Sequence, residues 1–106
     1  MHITIEAKDF DLTPAVQSYV EEKLGKLTKF SARIERIGVQ LDIERANRNG
    51  LTNRIEVWVY LPEKTLQAGL KAEHMNEAID LVYEKIERQV VNYERKRRDL
   101  ARGARL

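Results

Sequence analysis

Residues 75–98 read MNEAIDLVYEKIERQVVNYERKRR, and their spacing organises the rest of the chain. Met75, Ala78, Ile79, Val82, Ile86, Val90 and Tyr93 recur at intervals of three and four, the period of one continuous amphipathic helix. No Pro or Gly interrupts the run between Met75 and Arg102. From Lys85 the charge turns mostly positive and ends in Arg95-Lys96-Arg97-Arg98. The first part, to about Val82, is expected to cover a core, and the second to reach beyond it toward something anionic.

Working outward, every other apolar segment alternates with period two. Ile3, Ile5 and Ala7 mark a half-buried strand. Ile37, Val39, Leu41 and Ile43 alternate with polar residues in a second, and Ile55, Val57, Val59 and Leu61 in a third. Leu66, Ala68, Leu70 and Ala72 make a weaker fourth. RANRNGLTN, residues 45–53, reads as a polar loop with a turn signal at Asn49-Gly50. A first helix opens at Thr13-Pro14, the hydroxyl as N-cap and the proline at the first helical position. Val16, Tyr19, Val20, Leu24 and Leu27 are its buried stripe, Gly25 a mild cost within it, and Phe30-Ser31 its end.

The order is β-α-β-β-β-α, an α+β fold: a four-stranded mixed sheet with two helices packed on one face, as in double-stranded-RNA-binding domains. If the first two strands are neighbours, they are expected to pair in parallel through a right-handed crossover, and the last three to form an antiparallel meander. Trp58 and Tyr60 fall on the wet face, opposite Val57 and Val59. The expected organisation is a single domain over residues 1–100 and a short basic tail over 101–106.

Composition narrows the function. The chain has 106 residues, two histidines and no cysteine, which excludes a disulfide framework and Cys-ligated metal and disfavours a His-based site. No signal peptide and no membrane span is legible, so a cytoplasmic protein is expected. No Gly-rich phosphate loop and no Ser or Cys nucleophile with a His partner is present. His74 reads as a helix-start residue and Glu21-Glu22 as an exposed face. The chain therefore reads as a non-enzyme without metal or cofactor.

Charge is more informative. The net charge is +2, but residues 85–106 carry eight Lys/Arg against three Asp/Glu, +5, leaving eleven against fourteen, −3, for residues 1–84. On a helical wheel Lys85, Arg88, Arg95 and Lys96 share a flank, while Asp80, Glu84, Glu87 and Glu94 occupy another sector. Lys23, Lys26 and Lys29 form a slanted row on the first helix, which reads equally as a solvated face. Two helices side by side are expected to bring these rows together into a phosphate-binding surface. Trp58 and Tyr60 could stack bases, cover Arg or Lys stems, or meet a protein.

Several segments resemble the ribosome hibernation promoting factor family, which includes the ribosome-associated inhibitors of bacteria. They are Leu12-Thr13-Pro14-Ala15, Lys23-Leu24-x-Lys26-Leu27, Ala72 through Met75 followed by Ala78-Ile79-Asp80, and Lys85-Ile86-x-Arg88-Gln89-Val90. The likeness runs from residue 2 to about 98 and includes the element order. It implies a factor of the small ribosomal subunit that sits in the mRNA and tRNA channel and inhibits translation in resting or stressed cells. It also implies ribosomal RNA contacts from Lys23, Lys26, Lys29, Lys85, Arg88, Arg95, Lys96, Arg97 and Arg98, and a monomer off the ribosome. His74 departs from the acidic residue common in the family before the Met. Long family members carry a further domain that pairs ribosomes; a chain ending at Leu106 implies the short form. Two other readings stand beside this one: a protein-binding regulator of the sigma-factor-modulator type, meeting its partner through the Trp58 and Tyr60 face, and a general double-stranded RNA binder.

Overall fold

The computed structural model describes residues 2–46 and 50–103. Its elements are β1 (His2–Lys8), α1 (Pro14–Gly25) continued by a 3-10 turn (Lys26–Lys29), β2 (Arg36–Ala46), β3 (Gly50–Tyr60), β4 (Thr65–Ala72) and α2 (Met75–Gly103). The strands lie in the order β1-β2-β3-β4. β1 runs parallel to β2, and β2, β3 and β4 are antiparallel in turn, as the sequence predicts. Asp9 takes φ 55° in the turn after β1, a left-handed conformation that Asp tolerates better than most residues.

α1 starts as its sequence requires: the Thr13 Oγ1 accepts from the Val16 N–H at 3.2 Å, with Pro14 at the first turn. At Gly25 the α-helix tightens into the 3-10 turn, where the Thr28 hydroxyl donates to the Gly25 carbonyl at 2.9 Å. The helical segment ends at Lys29, beside the expected Phe30-Ser31.

Two expectations need correction. The polar stretch 45–53 is not a loop throughout: β2 runs to Ala46 and β3 begins at Gly50, with Ile43 opposite Asn53 and Glu44 opposite Thr52. Polar side chains do not end a strand whose backbone groups have a partner, and the ladder continues as far as Ala46 opposite Gly50. Asn49, half of the turn signal, lies outside the described residues. The core-covering part of α2 also extends past Val82, because Ile86 and Val90 are fully buried.

One face of the sheet is covered. Val20, Leu24 and Leu27 descend from α1 and the 3-10 turn; Ile79, Val82, Ile86 and Val90 descend from α2. They meet Ile37, Val39 and Leu41 of β2 and Ile55, Val57 and Val59 of β3 in one cluster. Each such side chain contributes about 1.5–3 kcal/mol of burial. α1 packs beside α2 over the β1 side, and α2 lies over β3 and β4. The helices run in the same direction, since Tyr19 meets Asp80 near their starts and Ser31 meets Glu94 further along. Among the described residues no helix is long and apolar enough to cross a membrane.

Candidate nucleic-acid interface

The sector of α2 facing α1 is acidic. The Tyr19 hydroxyl donates to Asp80. Lys23 Nζ stands 3.6 Å from Asp80 Oδ1 and 5.4 Å from the centre of the Tyr83 ring. Hydrogen bonding to Asp80, then burial, raises the Tyr19 pKa. Burial, then the Glu87 carboxylate, pushes the Tyr83 hydroxyl up to about 12. Lys23 is thus held in the seam between the helices.

Further along, Ser31 donates to Glu94 and Arg97 Nε donates to the other oxygen of that carboxylate at 2.8 Å. Ser31 and Glu94 are 5% and 9% exposed, which makes them a buried polar pair where α2 leaves the sheet. Burial alone would raise the Glu94 pKa; Ser31 and Arg97 outweigh it and hold the carboxyl below its usual range.

The opposite flank of α2 lies along the edge strand. Lys85 Nζ donates to the Gly69 carbonyl at 3.4 Å and Gln89 Nε2 to the Gln67 carbonyl at 2.9 Å, both on β4. The two basic rows are therefore not merged. Lys23 pairs with the acidic flank of α2, while Lys85 lies on the other flank, toward β4. Arg88 is exposed on α2, and Lys26 and Lys29 are exposed on the 3-10 turn. In a 3-10 turn residues i and i+3 eclipse, so Lys26 and Lys29 line up instead of slanting.

Arg95 to Gly103 continue α2 with every residue exposed, Leu100 at 75%. Arg95 bonds Asn92 at 2.6 Å and Arg97 bonds Glu94, whereas Lys96 and Arg98 stand with the exposed end of the helix. The structure thus gathers Arg95, Lys96, Arg97 and Arg98 on one projecting segment, sets Lys85 and Arg88 on the helix body, and places the lysines of residues 23–29 across the seam. Sequence reasoning missed Ser31, Tyr83 and Glu94 as organising residues. A lone polar residue on an otherwise polar helix turn carries no sign of burial until its partner from the far end of the fold is in place.

The sequence profile of the family described as sigma 54 modulation protein / S30EA ribosomal protein matches residues 3–98. The chain is 30% identical over 105 residues to a ribosome hibernation promoting factor of Azotobacter vinelandii, covering 99% of this chain and 94% of that one. It is 27% identical over 96 residues to the ribosome hibernation promotion factor of Bacillus subtilis, of which it spans 50%. A solved ribosomal subunit interface protein from Coxiella burnetii superposes with a TM-score of 0.78 at 28% identity, over 89% of this chain and 98% of that one. The Thermus thermophilus Protein Y N-terminal domain shares the fold, with a TM-score of 0.71 at 24% identity over 88% of this chain and 99% of that one.

Proposed function

The chain belongs to the sigma 54 modulation protein / S30EA ribosomal protein family, and from that membership we propose that it is a ribosome hibernation factor of the cytoplasm. In this reading it binds the small subunit in the mRNA and tRNA channel and blocks translation in resting or stressed cells. The observation that carries the proposal is the near full-length likeness to the Azotobacter hibernation promoting factor. The charge distribution supports it. A projecting basic helix end and two basic strips on the helical side suit phosphate contacts that need no base reading.

The proposed contacts are Lys26 and Lys29 on one strip, Lys85 and Arg88 on the other, and Arg95, Lys96, Arg97 and Arg98 on the projecting end. Lys23 contributes from the seam, where Asp80 holds it. No bond is made or broken: the protein acts by occupying space that tRNA and mRNA require.

Sedimentation of stationary-phase lysate at low salt tests this. The protein is expected with the ribosomal fraction, and its presence in the free fraction alone would remove the proposal. Charge reversal of Lys85 and Arg88 is expected to weaken ribosome binding and reduce its salt slope by about 2, one per lost phosphate contact. The family description favours one further reading, modulation of a sigma factor. Capture of a sigma factor after nuclease treatment and ribosome removal would support it.

A further inference from the structure

The sheet face away from the helices carries a hollow that the helical site does not use. Its open volume is about 240 Å³, and Thr4, Glu6, Arg36, Gly38, Trp58 and Tyr60 are among the residues around it. Gly38 makes the space. It sits in β2 opposite Trp58, and Arg36 sits opposite Tyr60. A Cβ added at Gly38 would meet Tyr60 Cε2 at 3.6 Å and Trp58 Cε3 at 3.9 Å, ordinary contact without a clash. Glycine weakens a strand interior, and here no steric crowding demands it. Both aromatic rings lean over Gly38, and the open space lies beside them.

Trp58 also borders a second hollow of about 110 Å³, with Asp42, Arg54 and Glu56 on its far side. The indole thus stands between two open spaces. The cations of this face differ in availability. Arg54 is paired with Glu44 at 2.9 Å and Glu56 at 2.5 Å. Arg36 has no carboxylate at ion-pair distance among the described residues; its guanidinium lies 3.8 Å from the centre of the Tyr60 ring. That stack fixes the ring and leaves the guanidinium's N–H groups free to bind an anion.

We propose that this hollow is a second RNA site, which takes an unpaired nucleotide of single-stranded RNA. The base stacks against Trp58 and Tyr60 over Gly38, and the phosphate meets Arg36. Thr4 and Glu6 on β1 form the polar rim that meets the base edge. A duplex does not fit, because its bases are already stacked on one another. The site lies on the face opposite the helices, and its test needs no ribosome.

Trp58 is the single tryptophan of the chain, so its fluorescence reports on the hollow directly. Purified protein is titrated with a short unstructured oligoribonucleotide, with that strand annealed to its complement, and with nucleoside 5′-monophosphates. Saturable quenching by the single strand, and weaker saturable quenching by the monophosphates, is the expected result, with little from the duplex. Gly38→Val sets γ-carbons beyond a Cβ that already touches both rings, and is expected to abolish quenching in a protein shown by thermal unfolding to remain folded. Arg36→Gln, a change to an exposed side chain, is expected to weaken single-strand binding about tenfold and flatten its salt dependence. Absence of quenching by the single strand, equal quenching by the duplex, or unchanged single-strand affinity in Arg36→Gln would each overturn the site. So would full quenching in a folded Gly38→Val protein.

Discussion

Glu94 shows how one side chain joins the two ends of the fold. It accepts from Ser31, 63 residues earlier in the chain, and from Arg97 one turn on. Removing the carboxylate leaves the Ser31 hydroxyl buried with a lost partner. Glu94→Ala is therefore expected to destabilise the domain by about 1–3 kcal/mol in urea unfolding, and Glu94→Gln by less, because its amide oxygen can still accept. The pH dependence has a definite sign. Glu94, Glu44 and Glu56 all have carboxyls held below their usual range: burial acts against this at Glu94, where Ser31 and Arg97 prevail, Lys71 and Arg54 lower Glu44, and Gln67 and Arg54 lower Glu56. Their contribution is present above the unfolded carboxylate range, about pH 4.3, and is lost as pH falls through the lower folded values. Stability measured against pH should fall in that acid window, and Glu94→Gln should make the fall shallower. Tyr83 works in the other direction. Its proton is retained up to about pH 12, so its contribution is present below the unfolded tyrosine range and lost as pH rises toward that value. In a spectrophotometric titration, Tyr83→Phe should remove a late-ionising component.

At the scale of elements, α2 has two parts that respond differently to mutation. As far as Glu94 it is bonded into the fold: Ile86 and Val90 are fully buried, and Lys85 and Gln89 donate to carbonyls of β4. Beyond Glu94 its residues are exposed. Replacing Arg95, Lys96 and Arg98 together by Gln is expected to change unfolding free energy by no more than about 0.5 kcal/mol, while ribosome association weakens and becomes less salt-sensitive. Thermal unfolding and sedimentation on the same variant measure the two effects. Ile86→Ala is expected to show the converse, a loss of about 2–5 kcal/mol, because a fully buried side chain is cut back in a packed core.

For the whole molecule, the acidic seam between the helices decides how charge is presented. The helix axes in such a pair lie about 8–10 Å apart. The Lys26–Lys29 turn continues α1, which packs on one flank of α2, whereas Lys85 reaches β4 on the other flank. Separate strips should engage separate stretches of RNA backbone. Charge reversal at Lys26 and Lys29 and charge reversal at Lys85 and Arg88 are then expected to weaken ribosome binding additively, within about 0.5 kcal/mol. A double-mutant cycle measures this, and strong coupling would mean that the strips share one phosphate cluster.

The sequence alone determined the element order, the parallel first pair, the antiparallel meander, the two helix stripes and the basic end of α2. Each is a local property: the period of side chains along a helix or strand and the chemistry of a cap survive without knowledge of partners. Trp58 and Tyr60 on the face opposite Val57 and Val59 follow from the same alternation. Only the tertiary structure decided the rest. Pairing lengthened β2 and β3 beyond their apolar stretch, because a partner strand satisfies the backbone whatever the side chains are. Rotation of α2 on the sheet set its acidic sector against α1 and its basic flank toward β4, which separated rows that the helical wheel by itself allowed to meet. Packing of α1 beside α2 turned Ser31 and Glu94 into a buried pair, a relation between residues 63 apart that no local pattern contains.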